Sequence, residues 1–409
     1  MSVDTRHHIL VAGTGPVGLI SALAFAEAGF GVVLAGPPAR ADDGRTTALM
    51  VPALKFLARI GVLESLEADA APLKVMRIID GTSRLIRSPI VTFRAGEIGE
   101  EHFGLNFQNR VFNAVLERTV EAHPAIEWRR AMVDNWAIEP NRVIAALSDG
   151  TTVEATLAVA ADGRNSPARQ AAGITASAHS LPQAALVLNF AHSRDHAFTS
   201  TEFHTETGPF TQVPLPGRRS SLVWVLRPET AEEFASLDDD ALSPRVEQQM
   251  QSMLGRVTVE GGRQIYPLST SLPQRFAQNR VALVGEAAHV FPPIGAQGLN
   301  LGIRDVDQLV EIASKHRADA GSAEALAAYD SARRPDILAR TSAVNLLNRS
   351  LLSDLLPAQL ARSAGLNVLG GFSPLRAFFM REGLRPGSGF SSVFAGLRSP
   401  RRTHEASTD

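Results

Sequence analysis

The chain has 409 residues, a formal net charge of −2, 44% hydrophobic and 20% charged residues, and no cysteine. That length suits two or three lobes with separate cores, and the composition is that of a folded globular protein. The near-neutral charge gives no footprint for nucleic acid, and the missing cysteines exclude disulfides, Cys-ligated zinc, iron–sulfur clusters and thiol nucleophiles.

The N-terminal segment MSVDTRHHILVAG lacks the long apolar core of a secretory signal. No apolar run approaches the roughly 18 residues of a membrane span. A soluble, cytoplasmic chain is expected. Ile9–Ala12 are a short apolar run that suits a buried parallel strand. Gly13, Gly15 and Gly18 form a turn, and Leu19–Ala28, rich in Ala and Leu, reads as a helix ended by Gly29. Val32–Leu34 begin a second strand. TALMVPALKFLARIGVLESL, residues 47–66, reads as one helix or two. QNRVFNAVLERTVEAHP, from 108, predicts a helix with Val111, Val115 and Leu116 apolar and an end before Pro124. RVIAALSDGTTVEATLAVAADG predicts a hairpin on Asp149-Gly150, then a buried strand running into Asp162-Gly163. From about Gln183 to Leu226 the period changes, and ALVLNFAHS, STEFHTE, FTQVPL and SLVWVL predict a separate antiparallel sheet with which residues 76–94 pair. After Arg304 the pattern is helical almost to 385, and the closing SPRRTHEASTD reads as a disordered tail. There is no internal repeat.

Four motifs carry chemistry. Gly13-Thr14-Gly15-Pro16-Val17-Gly18 fits GxGxxG after a strand and at the start of a helix. Its first glycine permits the tight turn, the second lets a pyrophosphate approach the backbone, and the third lets the helix pack on the sheet. The helix N-terminus then faces the negative charge. An acid should end the next strand to bind the ribose, but Gly36 stands there, with Asp42 and Asp43 beyond the strand. DGRTTAL, from Asp43, is by itself an ordinary charged loop, and AADGRNSPARQAAGI, from Ala160, could be a turn with solvated Arg164 and Arg169. In VALVGEAAHVFPPIGAQGLNLGIRD, from Val281, a strand ends at Gly285-Glu286, where a carboxylate can accept hydrogen bonds from sugar or ribityl hydroxyls. Gly295, Gly298 and the helix starting near Leu299 would expose backbone N–H groups that stabilise a developing negative charge. Such a loss of side chains suits a flat ring lying on backbone.

Taken together, in this order and along about three quarters of the chain, these motifs resemble the class A flavoprotein monooxygenases, which share the fold of para-hydroxybenzoate hydroxylase. Within that family TEFHTETGPFTQVPLPGRRSSLVWVLRP, GAQGLNLGIRDVDQL and YDSARRPDILARTSAVNLLNRSL resemble the ubiquinone-biosynthesis hydroxylases. The resemblance implies an α/β fold: a Rossmann-like FAD-binding domain, an inserted antiparallel-sheet substrate domain, and C-terminal helices. The expected bounds are 1–75, 95–180 and 268–345 for FAD, 76–94 and 181–267 for substrate, 346–395 for a helical region, and 396–409 for the tail. It further implies that Gly13, Gly15, Pro16, Val17 and Gly18 meet the FAD pyrophosphate, and that Arg45 and Gln108 meet the flavin side. Asp162 and Gly163 belong to a motif serving FAD and the nicotinamide cosubstrate. Gly285 and Glu286, with Glu for the usual Asp, lie near the ribityl chain. Pro293 to Gly298, including Gly295 and Gln297, bracket the isoalloxazine, followed by Leu299 and Asn300.

The implied reaction is hydroxylation of a phenolic ring in ubiquinone biosynthesis: NAD(P)H reduces the flavin, O₂ adds to it, and the C4a-hydroperoxide delivers oxygen. The cofactor carries that chemistry, so no catalytic side chain is expected. The alternatives are a hydroxylase of another small aromatic in secondary metabolism or degradation, and a non-catalytic flavin-binding subunit of a quinone-biosynthesis complex. Implied partners are an aromatic or polyprenyl-phenol substrate and O₂, with a peripheral contact to the inner membrane or to such a complex. His289 either helps hold the flavin loop or is a packed or capping residue. His192, His196 and His204 are scattered without metal-ligand spacing, so no metal is expected. Trp224, Phe203 and Phe210 either line a pocket over the flavin or pack in a core. LLSDLLPAQLARSAGLNVLGGF, from Leu351, faces a membrane or partner helices, or closes as a helical lid on the protein's own core, which is the preferred reading.

Overall fold

The computed structural model describes residues 7–39, 43–82, 87–293 and 297–352. In chain order its main elements are β1 (His7–Ala12), α1 (Pro16–Glu27), β2 (Val32–Ala35), β3 (Thr46–Met50), α2 (Val51–Arg59), β4 (Ala71–Pro72), β5 (Val75–Asp80), β6 (Val91–Arg94), β7 (Gly104–Gln108), α3 (Asn109–Ala122), β8 (Ile126–Arg129) and β9 (Val133–Ile138). There follow β10 (Val143–Leu147), β11 (Thr152–Ala160), α4 (Pro167–Ala171), β12 (Ala176–His192), β13 (Thr199–Thr205), β14 (Gly208–Leu215), β15 (Arg219–Leu226), α5 (Pro228–Ser236) and α6 (Asp239–Gln249). The last are β16 (Val257–Pro273), β17 (Ala277–Gln278), β18 (Val281–Leu283), α7 (Gln297–Lys315) and α8 (Ala323–Leu352). The expected C-terminal lid and tail lie outside the described residues, apart from the end of α8.

The first sheet runs β17-β18-β11-β1-β2-β8, with the β9–β10 hairpin attached to β11. β1 is parallel to both neighbours, with Ile9 opposite Val32 on one side and Leu157 on the other. Ile9–Val11, Val32–Leu34 and Leu157–Ala160 are all buried, the continuous apolar runs of a parallel sheet covered on both faces. The covering helix α1 is buried from Gly18 to Ala26, so its Ala and Leu content serves close packing rather than one amphipathic stripe.

The second sheet runs β16-β12-β15-β14-β13-β5-β6, antiparallel except where β13 meets β5. Alternation gives it two faces. Leu186, Leu188, Phe190, Leu222 and Trp224 project from one face into a core closed by Ala231, Leu242, Val246 and Met250 of the α5–α6 region. Phe203, Phe210 and Trp224 belong to this core, with edge-to-face ring centroids at 5.7 and 5.0 Å. Of their two sequence readings, core packing holds and the flavin-pocket reading does not.

A three-stranded sheet, β3-β7-β4, joins the two. Thr46–Met50 is therefore a strand, where the sequence reading placed the expected helix from Thr47. Its pairing with β7, from Thr46 opposite Gln108 to Met50 opposite Gly104, overrides the helix-like spacing, and the helix begins at Val51 with proline in its first turn. Gly104 permits the close approach: a Cβ there would lie 2.1 Å from the Leu49 carbonyl oxygen.

Candidate cofactor and substrate site

The three glycines after β1 do different jobs. Gly13 has φ +105°, and an added Cβ would fall 2.3 Å from the Ala161 carbonyl oxygen. At Gly18 it would fall 1.9 Å from the Gly13 carbonyl oxygen. The chain's own packing consumes both. Gly15 has nothing within 4 Å of an added Cβ and caps α1, whose first turn carries no acid and no side-chain cap. Open space therefore meets unsatisfied helix N–H groups there. At the end of β2, Gly36 has φ +149°, and its missing side chain makes room for Thr14, whose Oγ1 would lie 2.8 Å from a Cβ. The Thr14 hydroxyl donates to the Pro37 carbonyl, and Trp128 Nε1 donates to the Gly36 carbonyl at 2.9 Å. The position is closed to an acid by packing.

Arg45, just before β3, donates from Nε and Nη2 to the two oxygens of Asp43, at 2.8 and 2.7 Å. Burial opposes the charge on Asp43, yet the Arg45 guanidinium and Asn109 hold its carboxyl below the usual value. Arg45 also lies over the Tyr266 ring, 5.4 Å from its centroid. Gln108, at the foot of α3, accepts from Arg110 Nε at 3.0 Å. Past β11, Asp162 Oδ2 accepts from the Ala168 amide at 3.0 Å, while Oδ1 is buried without a partner. Burial pushes this carboxyl above its usual value. Gly163 follows with φ +86°. Arg169 donates to the carbonyls of Ala287 and Arg164, at 2.9 and 2.8 Å, tying the Asp162 turn to the Gly285 turn.

Glu286 is largely exposed, with Oε2 3.5 Å from Arg164 Nε. Behind it lies a buried hub. Asp305 Oδ2 accepts from the Gly285 amide at 3.0 Å and sits 2.7 Å from His289 Nε2, while Oδ1 accepts from Arg333 Nε at 2.8 Å. Arg333 also donates to Asp336 at 3.0 Å. Arg333 balances the charge of Asp305, and His289 Nε2 donates to its second oxygen. His289 thus holds the loop by packing and hydrogen bonding, its ring stacked 5.2 Å from that of Phe291. The start of α7 is pinned to β3 by Asn300, whose Oδ1 accepts from the Met50 amide and whose Nδ2 donates to the Ala48 carbonyl, both at 2.8 Å. Leu299 is half-buried, Pro293 is exposed, and an added Cβ at Gly298 would meet nothing within 4 Å. Gly295 lies outside the described residues, as does the side chain of Gln297.

The second face of the seven-stranded sheet turns toward this region. Asn189 Nδ2 donates to the Gly44 carbonyl at 2.9 Å, and Thr46 Oγ1 to Ser221 Oγ at 2.8 Å. Beside these contacts runs a half-buried row that includes Val187, Val223, Thr211 and Glu202. The sequence reading does not single out Glu202, and it leaves His204 as a scattered histidine. The available signal was their spacing of two in a strand, which puts both side chains on one face. A cavity of about 510 Å³ opens beside Arg164, Asn165, Arg169 and Gln170. Among the described residues no group of His, Asp or Glu could hold a metal ion, and no helix is long and apolar enough to cross a membrane.

The open Gly15, the unpartnered Asp162 Oδ1 and the open Gly298 at a second helix N-terminus fit a dinucleotide carrying a flat ring. A family model described as an FAD binding domain matches residues 6–342. The chain belongs to this FAD-binding family. It is an FAD-dependent monooxygenase. The ubiquinone hydroxylase UbiL of Rhodospirillum rubrum is 33% identical over 393 residues, covering 94% of this chain and 90% of that protein. The 3-demethoxyubiquinol 3-hydroxylase of Escherichia coli is 28% identical, covering 88% and 93%. Among solved structures of the same fold, p-nitrophenol 4-monooxygenase PnpA from Pseudomonas putida superposes with a TM-score of 0.74 at 22% identity, covering 98% of this chain and all of that one. Klebsiella pneumoniae HpxO, complexed with FAD and uric acid, superposes with a TM-score of 0.72 at 17% identity, covering 94% and 98%.

Proposed function

We propose that this monooxygenase hydroxylates the phenolic ring of a ubiquinone precursor, using NAD(P)H and O₂. The observation that carries the reading is the half-buried, mainly apolar row of the second sheet facing the Arg45 loop, in a chain whose relatives include ubiquinone hydroxylases across nearly their whole length. Residues 1–75, 95–180 and 268–345 serve FAD, and 76–94 with 181–267 serve the substrate. Gly13 and Gly18 shape the turn at which Gly15, Pro16, Val17 and the α1 N-terminus receive the pyrophosphate. Asp162 Oδ1 accepts from a cofactor hydroxyl, with Gly163, Gly285 and Glu286 alongside. Arg45 and Gln108 flank the flavin. The ring rests on the backbone from Pro293 through Gly295 and Gln297 to Gly298, Leu299 and Asn300, where helix N–H groups favour negative charge on it. The bound FAD supplies the reduction and oxygen-transfer chemistry. The chain orients the phenol and excludes water from the cleft. The cavity beside Arg164 receives NAD(P)H, whose phosphates match the positive charge of Arg164 and Arg169. A polyprenylated phenol resides in the bilayer, so the reading includes a peripheral contact with the inner membrane or with a quinone-biosynthesis complex.

The test is the lipid quinone profile of a deletion strain, with NAD(P)H oxidation by the purified protein measured with and without a short-chain prenylated phenol. An accumulated under-hydroxylated precursor and phenol-stimulated oxidation with hydroxylated product are expected. An unchanged quinone profile with phenol-independent oxidation overturns the reading.

A further inference from the structure

In the strand register Ile78 lies beside Glu202, Glu202 beside Thr211, Thr211 beside Val223, and Val223 beside Val187. These five share one face, and all are half-buried. The opposite face is sealed by α5 and α6, whereas the next row on this face carries Ser221 and Asn189, both bonded to the Gly44–Thr46 segment. The row therefore borders the space between sheet and cofactor site. Glu202 is its one acid. Glu202 Oε1 lies 3.0 Å from His204 Nε2, and Oε2 accepts from Thr211 Oγ1 at 3.4 Å. Among the described residues no lysine or arginine pairs with it. These two contacts fix the carboxylate on this face, within hydrogen-bond reach of a ligand lying between the sheet and the cofactor site.

We propose that Glu202, backed by His204, is the base that ionises the substrate phenol. The inference rests on the phenolic reading above. The substrate O–H bond breaks, an O–H bond forms on the Glu202 carboxylate, and the electron pair stays on the ring oxygen. The ring then carries the electron density that an electrophilic oxygen donor requires. The hydrogen bond to His204 fixes the orientation of the carboxylate.

The experiment uses FAD-loaded protein. Without NAD(P)H, a phenol of pKa about 10 is titrated in, and the ultraviolet difference band of bound phenolate is read. Turnover is then compared for that phenol and a polyfluorinated analogue already ionised in solution. Wild type shows the phenolate band. Glu202→Gln binds the phenol un-ionised and hydroxylates it about 100-fold more slowly, while the ionised analogue stays within about 3-fold. His204→Gln, which keeps the acid, weakens the band and shows the same substrate selectivity to a smaller degree, so the test stands even if Glu202→Gln folds poorly. A phenolate band retained in Glu202→Gln, or an equal slowing of both phenols, overturns the proposal. Wild type that binds phenol without the band sinks this proposal alone. Wild type that binds no phenol sinks the phenolic reading, and this proposal with it.

Discussion

The eight-stranded and seven-stranded sheets build their halves of the site from different material. In the first the candidate site lies on backbone: Gly13 and Gly18 are emptied so that main chain can touch main chain, and Gly15 is left open before a helix N-terminus. In the second the backbone is a mainly antiparallel ladder, and everything depends on which side chain sits on which face. The same contrast appears in how each half fails. A backbone site breaks when a single Cβ is added. A side-chain site changes its chemistry while its fold survives.

The largest expected effect comes from breaking the first half in two ways. Gly18→Ala drives a Cβ into the Gly13 carbonyl oxygen, 1.9 Å away, and should cost about 4 kcal/mol or more in a denaturant titration of the apoprotein. At Gly15→Val the added Cβ meets no protein atom within 4 Å and the φ of −67° is ordinary extended backbone, so the variant should leave the apoprotein within about 1 kcal/mol of wild type, the cost being a poorer helix cap. It should nonetheless lose FAD, as read by absorbance after denaturation. Equal destabilisation by both variants, or full FAD content in Gly15→Val, would show that the three glycines are one structural unit with no ligand among them.

This contrast also explains what could be read from the sequence. β1, the turn, α1 and β2 were legible because demands on backbone appear as glycines at fixed spacing, and Asp162-Gly163 and Gly285-Glu286 were legible as the ends of apolar strands. Thr46–Met50 was misread because pairing with β7 comes from distant residues that no local period reveals. Trp224 and Phe210 are equally compatible with a pocket or a core until the sheet's faces are assigned. Glu202 looks like any strand acid until its row is known. The Asp305 hub was invisible for a related reason: His289 and Arg333 are 16 and 28 residues from Asp305, and a buried charge in helix α7 is spelled like a solvated one.

That hub supplies the second prediction, since it gives the cofactor half a side-chain device behind its backbone. Asp305→Asn leaves the buried Arg333 without its main counter-charge and should cost about 3 kcal/mol by thermal or denaturant unfolding. Two residues along α7, Asp307 pairs with Arg59 at the surface, and Asp307→Asn should cost less than about 1 kcal/mol. Adding Arg333→Met to Asp305→Asn should restore much of the loss, because the unpaired buried charge is then gone. If Asp305→Asn is no worse than Asp307→Asn, the hub contributes nothing, and the Gly285 turn is held by its backbone alone.

The smallest effect separates the halves by the sign of their response to acid. His192, on the core side of the second sheet, donates from Nδ1 to the Arg194 carbonyl at 2.7 Å and accepts at Nε2 from Ser220 Oγ at 3.0 Å. Burial, with the neighbouring His196 adding to it, holds its pKa below the ordinary histidine value. The unfolded chain therefore takes the proton first as pH falls. The stability His192 contributes is complete above the unfolded value of about 6.5 and is lost as pH drops toward the folded one, at about 1.4 kcal/mol per unit of depression. Asp162 works the other way: its carboxyl is raised by burial, so the folded state takes the proton first and acid relieves a strain. Between pH 7 and 5 the fall in stability should belong to the histidine, whose ordinary value lies inside that window, because a raised carboxyl can only oppose such a fall. His192→Gln should flatten the fall in unfolding free energy across this range by up to about 1 kcal/mol, whereas Asp162→Asn should leave that fall in place. A slope unchanged in His192→Gln but altered in Asp162→Asn would place the acid-sensitive element in the cofactor half and reverse the assignment.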